Sequence, residues 1–121
     1  SVTTRPGERV KVEYTPEFRR NLGGLARKYR SIRSNVEPVI ADLGNGALPG
    51  DQVPGVGRRV YKVRIQNTDI HRGKRSGYRM VYWAPTPARV VLVTIYCKAD
   101  PSDISRAQIR RVIGQTENAV A

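Results

Sequence analysis

Between Val10 and Tyr14 apolar and polar positions alternate, which predicts a short strand. Thr15 then offers a side-chain oxygen to cap a helix, and Pro16 suits the first helical position. Phe18, Leu22, Leu25 and Tyr29 recur at helical spacing and form one apolar stripe, although the paired Gly23 and Gly24 weaken this helix. Ser34 with Glu37 has capping-box spacing, and Val36, Val39, Ile40 and Leu43 supply a second apolar face that ends at Gly44-Asn45-Gly46. Pro38 is expected to limit how far upstream this second helix extends. Two helices so briefly linked predict an antiparallel hairpin.

A Gly/Pro-rich loop follows from Ala47 to Gly57. Three strand-like runs come next, Arg58 to Gln66, Gly77 to Ala84 and Arg89 to Lys98, with Pro85-Thr86-Pro87-Ala88 turning between the last two. Asp103 or Ser105 caps a final short helix carrying Ile104, Ile109, Val112 and Ile113, and the tail from Gly114 is expected to fray. The order β-α-α-β-β-β-α predicts a single α+β domain over 1–121, structured from about 10 to 113. Its sheet is largely antiparallel, with the helical hairpin packed on one face.

Strand parity assigns the sheet faces. Tyr61, Val63 and Ile65 oppose Lys62 and Arg64, and Tyr78, Met80 and Tyr82 oppose Arg79, Val81 and Trp83. In the last strand Val91, Val93, Ile95 and Cys97 are expected together, opposite Thr94, Tyr96 and Lys98. One face is then apolar and helix-covered, while the other gathers Lys62, Arg64, Arg79, Tyr96 and Lys98.

Charge makes that second face matter. The 121 residues hold 22 Lys and Arg against 10 Asp and Glu, a net charge of +12. Such an excess costs stability by self-repulsion and matches a polyanion or an acidic partner. Arg58, Arg59, Lys62, Arg64, Arg72, Lys74, Arg75 and Arg79 crowd one stretch that contains a single acid, Asp69. A run of charge is usually only a solvated face, but this one is not balanced by neighbouring acids. Cations that neutralise phosphates, interleaved with Tyr and Trp rings that stack on unpaired bases, suit RNA. RNA can also be cut without a metal: its own 2′-OH attacks the adjacent phosphate, and the protein stabilises the phosphorane charge and assists proton transfer. An arginine fork suits that charge, and Tyr96 or Lys98 suits proton transfer if cationic neighbours lower its pKa.

Other candidates carry less. His71, the single histidine, sits in a polar loop and is expected to be incidental. Cys97, the single cysteine, precludes an internal disulfide and is expected to be a buried structural thiol. Asp100 and Asp103 fit turn and capping roles better than a cation site, so no metal or cofactor is expected. Trp83 either stacks a base or packs beside Val81 and the final helix. The longest apolar run, Val90 to Cys97, is too short to span a bilayer, and with no leader pattern at the start a cytoplasmic location is expected.

The order of elements, with Tyr61-Lys62-Val63-Arg64, Gly77-Tyr78-Arg79 entering a strand, and Ile95-Tyr96-Cys97-Lys98 followed by Asp103-Ile104-Ser105, resembles the RelE/ParE superfamily of toxins from toxin–antitoxin systems. The resemblance runs from about Val10 to Ile113 and is nearest to the RelE-type members that cleave messenger RNA. It implies a ribosome-associated endoribonuclease that inhibits translation and is neutralised by an acidic antitoxin. Under it Arg79 binds the phosphate and its transition state, and Lys62 and Arg64 hold the RNA backbone. Tyr96 and Lys98 fall near the catalytic positions at the C-terminal end. Arg58, Lys74, Arg75 and Trp83 complete the candidate RNA-binding set. Two other readings stay open: a ParE-like inhibitor of DNA gyrase, and a basic RNA-binding module without catalysis.

Overall fold

The computed structural model describes residues 10–69, 77–97 and 105–120. The elements are β1 (Lys11–Tyr14), α1 (Pro16–Lys28), α2 (Ile32–Gly44), β2 (Asp51–Gln52), β3 (Val60–Ile65), β4 (Tyr78–Thr86), β5 (Arg89–Cys97) and α3 (Arg106–Val120). They form an α+β fold on a five-stranded sheet of order β1-β5-β4-β3-β2. Only β1 runs parallel to its neighbour, β5; the other pairings are antiparallel. Among the described residues no helix is long and apolar enough to cross a membrane.

Local chemistry accounts for the helix ends. The Thr15 hydroxyl accepts from the Phe18 N–H at 3.0 Å, which caps α1 ahead of Pro16. α2 begins earlier than the Ser34/Glu37 spacing predicts: it starts at Ile32 and runs through Pro38. Pro38 and Ser34 are both exposed, so water can take up the Ser34 carbonyl that the proline leaves without a donor. α3 starts with a reciprocal cap, Ser105 N–H to Gln108 Oε1 at 2.9 Å and Gln108 N–H to Ser105 Oγ at 3.1 Å. It continues past Gly114 to Val120, so the tail expected to fray is helical. Asp103 and Ile104 lie outside the described residues.

The expected loop from Ala47 to Gly57 contains β2, which pairs Asp51 with Lys62 and Gln52 with Tyr61. Gly50, at φ +91°, makes that approach possible, because a Cβ there would run into the Lys62 carbonyl. Gly77 enters β4 under the same constraint, against the carbonyl of Ile65.

The sheet has a core on each face. On one, Phe18 of α1 and Ile32, Val36 and Leu43 of α2 bury Met80, Tyr82 and Leu92. On the other, Ile109, Val112 and Ile113 of α3 bury Val60, Val81, Trp83, Val91 and Val93. The hairpin therefore covers one face as its pattern predicts, but the second face is half covered by α3 rather than wholly basic. Parity in β5 fails for a definable reason. Val81 pairs with Thr94 while the next residue, Tyr82, pairs with Leu92, so Val93 is an extra residue in a β-bulge. Before the bulge Val91 and Val93 face α3; after it Ile95 and Cys97 join Leu92 under the hairpin.

The bulge is held by side chains. Thr15, 2% exposed, donates its hydroxyl to the Val93 carbonyl at 2.7 Å and its N–H to the Leu92 carbonyl at 3.1 Å. Asn21 of α1 donates to the Thr94 hydroxyl at 2.9 Å. We predict that Thr15→Ala costs about 2 kcal/mol, from the lost cap and the buried carbonyl left without its donor. Thr15→Ser should recover most of it, and urea denaturation of both variants checks this.

Tyr78 and Tyr82 are fully buried. Burial pushes both phenols well above their ordinary value near 10, with the Asp69 carboxylate adding to the effect at Tyr78 and Tyr61 at Tyr82. The unfolded chain gives up these protons from about pH 10 while the folded protein holds them. Their contribution to stability is thus intact below pH 10 and is lost as pH rises above it, by up to about 1.4 kcal/mol per pH unit for each tyrosine. Replacing either with Phe should flatten that alkaline decline in denaturation midpoint. At neutral pH the two differ. The Tyr82 hydroxyl donates to the Pro49 carbonyl, so Tyr82→Phe should cost about 1 kcal/mol. The Tyr78 hydroxyl lies near the Asn67 side chain without a well-formed hydrogen bond to it, so Tyr78→Phe should cost less than Tyr82→Phe.

Candidate nucleic-acid interface

β3, β4 and β5 carry the basic residues into one cross-strand row. Arg64 pairs with Arg79, and Arg79 pairs with Tyr96, so the three side chains stand side by side on the face that α3 partly covers. Lys62 lies two residues back along β3 on that face. The β5 bulge is what brings Tyr96 here: without the extra residue at Val93 it would share the hairpin face with Leu92.

The row is electrostatically unusual. Residues directly opposite on neighbouring strands hold their Cβ atoms about 5 Å apart, and like charges in that arrangement repel. Arg79 is also only 6% exposed, yet a guanidinium stays charged at any ordinary pH. Its Nη1 donates to the Tyr78 carbonyl at 3.2 Å, and among the described residues no carboxylate pairs with it. Buried charges are normally paired, because an unpaired one gives up its hydration without compensation. Arg64 beside it is exposed, and Lys62 and Tyr96 are half-buried and engaged with neighbours. An anion set against this row would relieve the repulsion and supply acceptors to both guanidinium groups.

A cleft of about 300 Å³ adjoins the row, between β2 with its following turn and the start of α3. Asp51, Lys62 and Arg106 are its charged lining residues. Arg106 packs against Gly55, and Arg110 donates to the Gly55 carbonyl at 2.7 Å, so α3 clamps the turn that forms one wall. The sequence pattern puts Asp51 in a loop; it reaches the cleft on β2, whose two residues carry too little periodicity to be seen, and Arg106 reaches it from the start of α3.

The remaining candidates divide clearly. Arg58 lies at the other end of the sheet, its fork on Glu117 at 2.9 and 2.7 Å and its guanidinium 5.4 Å from the Trp83 ring centre. Trp83 is 5% exposed within the α3-side core, which leaves no ring face for a base. Of its two open roles, packing beside Val81 and the final helix is the one it fills. Neither residue therefore stands with the row as the sequence set grouped them. Cys97 is 1% exposed with a free thiol, as expected for a structural cysteine. Lys74, Arg75 and Lys98 lie outside the described residues, as do His71, Arg72, Asp100 and Asp103.

The arrangement can hold phosphate groups in line along the sheet, with Lys62 and Arg64 on the accessible side, Arg79 beneath and a phenol beside it. No protein-family model matches this chain, and no curated protein is significantly similar to it in sequence.

Proposed function

We propose that the protein is a RelE-like toxin of a toxin–antitoxin pair, a metal-independent and ribosome-dependent endoribonuclease that cuts messenger RNA and stops translation in the cytoplasm. The observation that carries this reading is Arg79: a nearly buried, permanently charged guanidinium without a carboxylate among the described residues, directly beside a second arginine. A site that concentrates positive charge in this way gains most when negative charge grows next to it, as it does on a phosphate passing to a phosphorane.

In the proposed reaction the RNA backbone lies along β3, held by Lys62 and Arg64. The 2′-OH attacks the adjacent phosphorus as the bond to the 5′-oxygen breaks, leaving a cyclic phosphate and a new 5′-OH. Arg79 takes the charge of the equatorial oxygens. One proton leaves the 2′-OH and one reaches the 5′-oxygen, with Tyr96 or Lys98 assisting the transfer. An acidic antitoxin neutralises the protein by binding its basic surface.

Cell-free translation with end-labelled message, with and without ribosomes, tests this. The wild type should cut only when ribosomes are present, and Arg79→Ala should slow cutting about 100-fold to 1000-fold, the usual loss when one charge-stabilising donor is removed. Its unfolding midpoint should be no lower than that of the wild type, since the substitution removes a cation crowded by Arg64. Cuts in naked RNA would remove the ribosome from the reading. An intact message that still binds the protein would mark a non-catalytic RNA-binding module, and an intact, unbound message would turn attention to DNA gyrase.

A further inference from the structure

At the opposite end of the sheet from the Arg64–Arg79–Tyr96 row lies a second groove of about 540 Å³, lined by Arg58, Arg59, Arg89 and Glu117 around Trp83, Ala84 and Pro85. Trp83 lies four positions along β4 from Arg79, which by strand rise is about 13 Å. Carboxylates of the chain itself already sit on two of its three arginines. Glu117 takes both arms of the Arg58 fork, and Glu13 accepts from Arg89 Nε at 2.9 Å and lies 2.7 Å from its Nη2. Arg59 is exposed and has no side-chain partner among the described residues.

We propose that this groove docks an acidic segment of a partner protein. An apolar side chain seats against the half-buried Pro85, while flanking carboxylates pair with Arg59 and exchange with Glu117 on Arg58. The exchange is easy, because the Arg58 and Glu117 side chains are 38% and 41% exposed, and pairs so exposed are held weakly in water. The floor decides between classes of partner. Single-stranded RNA binds through exposed ring faces, and here the one ring is buried in the core with Arg58 over it. What remains open to a ligand is Pro85 and the exposed Arg59, beside two forks that already hold carboxylates. This inference rests on the acidic-partner part of the proposed function and is independent of RNA cleavage.

The test is fluorescence anisotropy with a labelled synthetic peptide of Glu and Asp around a central Leu-Phe pair, beside a labelled oligouridine of equal net charge. Three charge reversals are compared: Arg59→Glu in the groove, Arg64→Glu in the row, and Arg20→Glu on the exposed side of α1. Arg59→Glu should weaken peptide binding about tenfold and leave oligouridine binding unchanged. Arg64→Glu should do the reverse, and Arg20→Glu should leave the peptide where it was. Equal losses of peptide binding from Arg20→Glu and Arg59→Glu would reduce the effect to net charge and overturn the site. Loss of oligouridine binding in Arg59→Glu would assign the groove to RNA, and a peptide that fails to bind the wild type would overturn the proposal outright. Because no cleavage is read, a localised peptide with an intact message would discard the nuclease and keep the groove.

Discussion

The β-bulge at Val93 decides which residues meet on each face of this sheet. A strand without it sends Val91, Val93, Ile95 and Cys97 to one side, and the sheet has one oily face and one wet face. One extra residue divides that set, so each face receives its own apolar cluster and its own helices. A bulge leaves backbone groups out of the ladder, and here the replacement partner is Thr15, whose hydroxyl donates to Val93 while accepting the α1 cap. The residue that starts the first helix thus fixes the register of a strand 78 positions away. That register sets Tyr96 beside Arg79, so the geometry of the candidate site is inherited from a helix cap.

The distribution of acids gives the row its character. A net charge of +12 could be softened wherever the few carboxylates are placed. Glu13 is committed to Arg89 and Glu117 to Arg58, both at the β4–β5 turn end of the sheet, and Asp69 accepts from the Ser31 N–H at the entrance to α2. Asp51 stands opposite Lys62, one step short of the row. Among the described residues, Arg64 and Arg79 are left facing each other. Stability alone would place an acid or an apolar residue at one of these positions, because like charges directly opposite weaken a sheet. Retaining two arginines there concentrates cost at one site, the pattern expected where binding rather than folding sets the sequence.

Much of this was legible in the residues because periodic signals are strong where an element is long. The Phe18–Leu22–Leu25–Tyr29 stripe, the Thr15-Pro16 start, and the alternation of Tyr61 to Ile65 each follow from side chains facing one packed surface. Arg64 and Arg79 fell on one face by parity alone, since β3 and β4 pair without a shift between them. What escaped was whatever depends on contacts distant in sequence. A bulge leaves no mark in a run such as Val90 to Cys97, where every face is apolar. Arg58 looked like a member of the basic run until Glu117 was brought to it across 59 positions. Trp83 was ambiguous because its neighbours on the solvent side of the sheet belong to α3, whose length past Gly114 no apolar repeat announces.

α3 joins the two charged regions, and energetic scale decides how it can do so. Arg106 lines the cleft beside the row, and Glu117, about 16 Å further along the helix axis, reaches the groove on Arg58. Losing the Glu117 pair would cost at most about 1 kcal/mol, since the pair is exposed. Ile109, Val112 and Ile113 are buried to within 2% of full exposure loss and contribute about 1.5–3 kcal/mol each, so they keep α3 on the sheet whatever happens at its far end. A partner that gained only exposed ion pairs in the groove, at most about 1 kcal/mol each, would therefore add to α3 instead of replacing it. Direct cover is within reach. The separation of about 13 Å is spanned by about four extended residues, so a docked segment needs only a short continuation to lay carboxylates over Arg64 and Arg79.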